Sequence, residues 1–238
     1  MLLGIHDFIN SQPILEPLTK QASKAGIEIR IDSPAQLADQ LSAGKLDIAM
    51  IPAVEYLKQA DRLRLLPNIS ISSRNKVGTV LLVSKVPLNA IRTLALDERS
   101  RTSVALLRVL YAKEFPSGLK LARHEPDLDK MLNQYDAALI IGDQALGVAK
   151  EGVSIYDLSE EWFSRTEKTF VHAVIVAREG VKVEAGIIQT LQNAKLEGLK
   201  NLETIVQTQA NKTGHAVFLL RDYLKNKIHY DFGEEEME

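Results

Sequence analysis

The chain contains no cysteine. Disulfides, thiolate nucleophiles and cysteine-based zinc or iron–sulfur sites are therefore excluded. Aromatic residues are only 5% of 238, with a single tryptophan, too sparse for a base-stacking platform. The net charge is −2 and no Lys/Arg-rich tract is present, so neither nucleic acid nor a membrane surface is expected as a partner. No apolar run approaches the length of a membrane span. The opening "MLLGIHDFINSQP" lacks the basic and apolar regions of a secretory signal, and with Met1 in place we expect a cytoplasmic protein. The five histidines, His6, His124, His172, His215 and His229, show no metal-ligand spacing and read as packed or surface side chains. GxGxxG, GxxxxGK[ST] and GxSxG are all missing, which removes local support for nucleotide-dependent or α/β-hydrolase chemistry. No cofactor and no metal are expected.

What is present is the composition of a globular chain, 45% hydrophobic and 25% charged, long enough for one large or two small domains. Strand-like and helix-like segments alternate. Leu2–Phe8 reads as a strand, Pro13–Ala25 as a helix stopped by Gly26, and Ile27–Asp32 as a strand. Ser33-Pro34 starts a helix that stops at Gly44, and "LDIAMIP" reads as a buried strand. Two strand-like runs follow, Ile69–Ser72 and Val77–Ser84, with no helix directly after either. Alternation then resumes: strand Thr93–Leu96, helix Thr102–Glu114, strand Leu119–Arg123, helix Pro126–Gln134 and strand Ala137–Ile141. A short helical piece at Asp143–Lys150 precedes the β-branched strand Phe170–Arg178, and the chain is helical from Val181 with a break at Asn211–Gly214. This is an α/β pattern with helices on the sheet faces.

"PAQLADQLSAGKLDIAMIP" is echoed by "PDLDKMLNQYDAALIIGD". Each gives Pro, a helical apolar period, an Asp, a small-residue-rich strand and a polar turn. Two lobes of similar build would produce the echo. Ligands of open α/β sheets sit beyond the carboxyl ends of strands, so the turns after Ile51 and Ile141 would face a cleft.

Four polar groups are candidates. Asn10-Ser11-Gln12-Pro13, at a strand-to-helix junction, fits a helix cap best and also fits donors to a ligand at a helix N-terminus. Ser72-Ser73-Arg74-Asn75-Lys76 fits a solvated turn or part of a site. Gly142-Asp143 fits a cap after a buried strand. In "ERSRTSVALL", Ser100 or Thr102 can cap the helix, but Arg101 is not explained by capping. A cation at a helix N-terminus is unfavourable by roughly 0.3–1 kcal/mol when exposed, and a bound anion would remove that conflict.

These stretches, together with "LLPNISISSRNKVGTVLLVSKVPL" and "IYDLSEEWFSRTEKTFVHAVIVAR", resemble in order and spacing the chorismate dehydratases of the futalosine route to menaquinone. The resemblance runs over nearly the whole chain. It implies a two-lobed type 2 periplasmic-binding-protein-like α/β fold with an interlobe cleft. Lobe one would be residues 1–86 and 175–238, and lobe two residues 87–174, joined by two crossover strands. The sister enzyme of the route, which makes dihydroxynaphthoate, typically carries His-Glu-Gly-Arg where this chain has Gly142-Asp143-Gln144-Ala145. Departures from the dehydratase pattern are Pro52-Ala53 where serines are usual, Arg74-Asn75-Lys76 in place of a Gly-rich segment, and Arg101 in place of a small residue.

The resemblance implies an anionic small-molecule substrate, chorismate, dehydrated to 3-[(1-carboxyvinyl)oxy]benzoate without a cofactor. It makes Asn10 the catalytic residue, orienting the ring. Ser11, Ser72, Ser73, Arg101, Thr102, Ser103, Gly142 and Asp143 become substrate-binding residues, with Thr102 and Ser103 cradling a carboxylate. No protein base stands out, which leaves the enolpyruvyl carboxylate of the substrate as the acceptor of the ring proton. The rivals are a non-catalytic solute-binding protein for a small anion, and the sister synthase.

Overall fold

A computed structural model of the protein describes residues 1–237. The chain divides into two compact units, Met1–Ser73 with the segment from Val171 onward, and Arg74–Phe170. Each unit is built on its own five-stranded mixed sheet.

In the first unit the chain runs β1 (Leu2–Ile5), α1 (Gln12–Gln21), β2 (Glu28–Ile31), α2 (Pro34–Ser42), β3 (Ile48–Pro52), α3 (Ala53–Lys58) and β4 (Leu63–Ser73). In the second it continues β5 (Val80–Ser84), β6 (Thr93–Asp97), α4 (Thr102–Leu110), β7 (Lys120–His124), α5 (Leu128–Gln134), β8 (Ala137–Ile141), β9 (Ser154–Asp157) and α6 (Leu158–Thr166). It returns to the first unit with β10 (Phe170–Arg178), α7 (Ala185–Lys200), α8 (Leu202–Thr213), α9 (Val217–Asp222) and α10 (Glu234–Met237).

The strand orders are β2-β1-β3-β10-β4 and β7-β6-β8-β5-β9. The two sheets share one plan. Three parallel strands are followed by an antiparallel one, β10 against β3 with Ala173 opposite Pro52, and β5 against β8 with Val80 opposite Ile141. The echoed sequences are α2–β3 and α5–β8, and they hold the same place in the two sheets. Their strands are buried end to end, as are those of β5. Leu37, Leu41, Ile51 and Val174 anchor one core, and Leu81, Met131, Leu132 and Ile140 the other. Val80–Ser84, grouped by sequence with the first lobe, hydrogen-bonds to β8 and β9 in the second sheet, because the polar backbone of this buried strand must be paired on both edges.

Several element ends differ from expectation. β1 stops at Ile5 rather than Phe8, because the carbonyls of residues 6–8 accept from side chains of the next loop. β4 begins six residues before Ile69 and accommodates Pro67, with Asn68 in a left-handed conformation. It is the last named strand of its sheet, where a proline is tolerated. Its Ser70 and Ser72 amides donate to Tyr230 and His229 carbonyls, so the C-terminal segment closes that edge. α4 stops at Leu110 instead of Glu114, and the piece after β8 is only a 3₁₀ turn, Gly142–Gln144. The long C-terminal helix breaks first at Asn201, then at Gly214, which takes a left-handed conformation.

One contact sets the position of α1, the helix that follows the candidate loop. Pro17 lies inside α1 and has no N–H, so the Pro13 carbonyl loses its helical donor. Gly198 of α7 packs against that carbonyl, and a Cβ there would overlap Pro13 O, C and Cα. The glycine thus lets a Cα–H approach the orphaned oxygen. Gly198→Ala is expected to destabilise the protein by about 1–3 kcal/mol or more, since backbone must move. Gly186→Ala, in the same helix with open space around it, should be neutral or stabilising by up to about 1 kcal/mol. Urea melts of both variants check the contrast.

Candidate functional site

In the first unit, β1 and β3 are parallel and β10 runs against β3. The C-terminal ends of β1 and β3 and the N-terminal end of β10 therefore emerge at one edge. The loop after β1 is held by its own side chains. Ser11 Oγ lies 2.6 Å from the His6 carbonyl and 2.8 Å from that of Phe8, and Gln12 Nε2 donates to the Asp7 carbonyl at 2.8 Å. Ser11 is fully buried and Gln12 nearly so. Ser11 therefore forms no side-chain helix cap, and its hydroxyl proton is spent on the loop. Asn10 differs: its Oδ1 is buried and has no hydrogen-bond partner. A buried amide oxygen without a partner is costly by roughly 1–3 kcal/mol.

Ser72 and Ser73 sit at the end of β4 and are also buried. Ser72 pairs through its backbone with His229. Ser73 Oγ is 2.8 Å from His172 Nε2 on β10. His172 and the buried His6 are the residues that the sequence reading passed over. Burial lowers both imidazoles to about 4, so both are neutral near pH 7. His6 packs beside Phe8, ring centroids 4.9 Å apart, with Nδ1 unpartnered. The only sequence signal for either was a histidine placed in or beside an apolar strand.

In the second unit, two buried carboxylates organise the corresponding edge. Asp97, the last residue of β6, accepts from the Arg99 amide and guanidinium (2.9 and 2.7 Å) and from the Ile141 amide. The same guanidinium donates to the Ile141 carbonyl, tying the ends of β6 and β8 together. Asp157 accepts four backbone N–H bonds, from Val77, Gly78, Ser159 and Glu160. Burial raises its pKa, and those four donors oppose the rise. Both carboxylates are committed to holding loops.

Arg99 thus anchors the polar knot, and the cap of α4 is Ser100, whose Oγ accepts from the Ser103 amide at 3.2 Å. Arg101 stands at the N-cap position without a side-chain cap bond, next to half-buried Thr102 and buried Ser103. Gly142, at φ 70°, gives its amide to the Thr79 carbonyl, and Asp143 follows it in the 3₁₀ turn. Asn75, in the segment that is Gly-rich in the resembled family, itself takes a positive φ of 59°. Among the described residues, no three His, Asp or Glu side chains gather as a metal site requires. None of the described helices is long and apolar enough to cross a membrane.

Comparison with known structures shows the class first. An Archaeoglobus fulgidus protein aligns over 98% of this chain and 92% of its own, at a TM-score of 0.75 and 17% identity. The periplasmic aliphatic sulphonate binding protein SsuA of Escherichia coli aligns over 99% and 87%, at 0.66 and 14%. The fold is that of the two-lobed periplasmic-binding-protein-like class. At the level of sequence, the family described as menaquinone biosynthesis matches residues 1–238. A chorismate dehydratase of Thermus thermophilus is 32% identical over 94% of this chain and 87% of that protein. The chain belongs to the menaquinone-biosynthesis family, as the resemblance in its sequence implied.

The two neutral histidines have a consequence for stability. In the unfolded chain they titrate near 6.5, and in the folded protein near 4. Between those values the unfolded state binds more protons, so stability falls as pH drops from 6.5 to 4. The loss is on the order of 3 kcal/mol for fully buried His6. His6→Gln should flatten the dependence of melting temperature on pH across this window; an unchanged slope would assign it to other groups.

Proposed function

We propose that this chain is a chorismate dehydratase, a cytoplasmic lyase of the futalosine route, converting chorismate to 3-[(1-carboxyvinyl)oxy]benzoate. The observation that carries the reading is the 32% identity to a chorismate dehydratase across nearly the full chain. The unpartnered Asn10 Oδ1 supports it, being the polar atom that the loop after β1 leaves unsatisfied. The reaction is a redox-neutral elimination driven by aromatisation, so the protein's task is to orient the ring and stabilise developing charge.

On this reading the nine candidate residues divide by role. Asn10 orients the substrate. In the second unit Thr102, Arg101 and Asp143 are the side chains assigned to the ligand, with the α4 N-terminus favouring a carboxylate. Ser11, Ser72, Ser103 and Gly142 act as framework, since each gives a hydroxyl or amide to another part of its own unit. Ser73 is framework too, its hydroxyl 2.8 Å from His172 Nε2.

Incubation of the purified chain with chorismate should yield the benzoate ether, identified by mass and ultraviolet spectrum. Binding without product would instead favour a solute-binding protein. Asn10→Ala is expected to lower kcat/KM by about 100-fold, the loss typical of one preorganised polar group at a reacting centre. Arg101→Ala should raise KM and leave kcat nearly unchanged, as removal of uniform binding does. If it alters neither, Arg101 is a surface residue.

A further inference from the structure

We propose that the cavity between α7–α8 and the C-terminal segment of the first unit is a second ligand site, one that takes a small carboxylate with an apolar body. The proposal is independent of the dehydratase reading.

The cavity is lined by two kinds of residue. Leu199, Leu202 and Val206 come from the end of α7 and the first half of α8, and Leu224 and Ile228 from the segment after α9. The break at Asn201 lets both helices contribute to one wall. The other wall includes the π-helical stretch Tyr223–Lys227, a rare geometry that recurs at functional sites. The volume is about 450 Å³, the size of a small-molecule site.

The charged lining is unbalanced. Arg221 donates twice to Glu203, and Asp231 accepts from buried Lys195 at 2.5 Å, so those two pairs cancel. The Arg221 hydrogen bond holds the Glu203 carboxyl down at about 2, and its pair stays ionised. Lys200 and Lys225 also line the cavity and are exposed. Among the described residues neither forms a hydrogen bond or an ion pair, and Lys225 acts on Glu203 only through space. Two cations beside five aliphatic side chains suit a ligand that is anionic at one end and apolar at the other. A bare anion would gain only the charge, and a neutral apolar molecule only the burial.

The site also touches the strap that closes the sheet edge. His229, Tyr230 and Asp231 line the cavity, and the carbonyls of His229 and Tyr230 accept from the Ser72 and Ser70 amides of β4. A ligand held there would bear on that edge through two backbone bonds.

Benzoate titrated into the full-length protein and followed by backbone amide NMR tests the proposal. Saturable shifts are expected at residues 199–206 and 224–231 and at Ser70 and Ser72. The Kd should be about a millimolar, the scale for so small a ligand. The double variant Lys200→Ala, Lys225→Ala should weaken binding about tenfold, the worth of two exposed charge contacts, with its melting temperature little changed. Asn10→Ala should leave these shifts as they are, which separates this site from the β1 loop. Acetate, lacking the apolar body, and benzyl alcohol, lacking the charge, should each bind more weakly than benzoate. Absence of saturable shifts at the cavity overturns the proposal. So does a double variant that binds benzoate as the wild type does, or acetate that binds as well as benzoate. Turnover of chorismate is measured separately, so failure here leaves the dehydratase reading standing.

Discussion

Where a parallel strand stops, its last amides and carbonyls must still find partners, and the rest of this structure depends on how that demand is met. An unsatisfied buried backbone group costs as much as a lost hydrogen bond, so each strand end has to recruit a side chain or a neighbouring turn. The first unit recruits Ser11 and Gln12, which fold back onto the carbonyls of residues 6–8. The second recruits two buried aspartates, Asp97 and Asp157, which between them collect backbone amides from four separate segments. These bonds consume most of the polar side chains at the strand ends. What they leave over is the Asn10 Oδ1, buried and without a hydrogen-bond partner.

The same demand ties the buried Asp97 and Asp157 to structure. Asp157 is raised by burial and pulled back by four N–H donors, and Asp97 is locked to Arg99. Removing a partner from such a carboxylate would leave a buried charge uncompensated, so both positions are structural before they are anything else. The neutral polar groups beside them are an amide, hydroxyls, backbone N–H groups and imidazoles kept neutral by burial. That inventory suits a reaction whose driving force is aromaticity and whose barrier is lowered by orientation.

Much of the fold is legible in the sequence because its signals are local. The alternation of apolar strands with capped, glycine-stopped helices needs no long-range information, and the echo between α2–β3 and α5–β8 points to two lobes of one plan. β9 and α6 were not separable in "SIYDLSEEW" because β9 is short and largely exposed, so it carries no apolar period. The break at Asn201 was equally silent, since helix formers lie on both sides of it.

The site divides along the same line. Sequence alone determined the family, the strand–loop–helix setting of Asn10, a hydroxyl cap for α4 at Ser100 or Thr102, and the exclusion of thiol and disulfide chemistry. Those follow from residue type and short spacing. Only the tertiary structure decided which polar side chains are spent. Ser72 is bound to His229, 157 residues away, and Ser73 to His172, 99 residues away. It also turned Arg99, not Arg101, into the anchor of the knot, through a pairing with Asp97 and Ile141. A hydroxyl reads the same in sequence whether it will face a ligand or a carbonyl. The difference lies in which strand is folded beside it, and that is settled by sheet order and register.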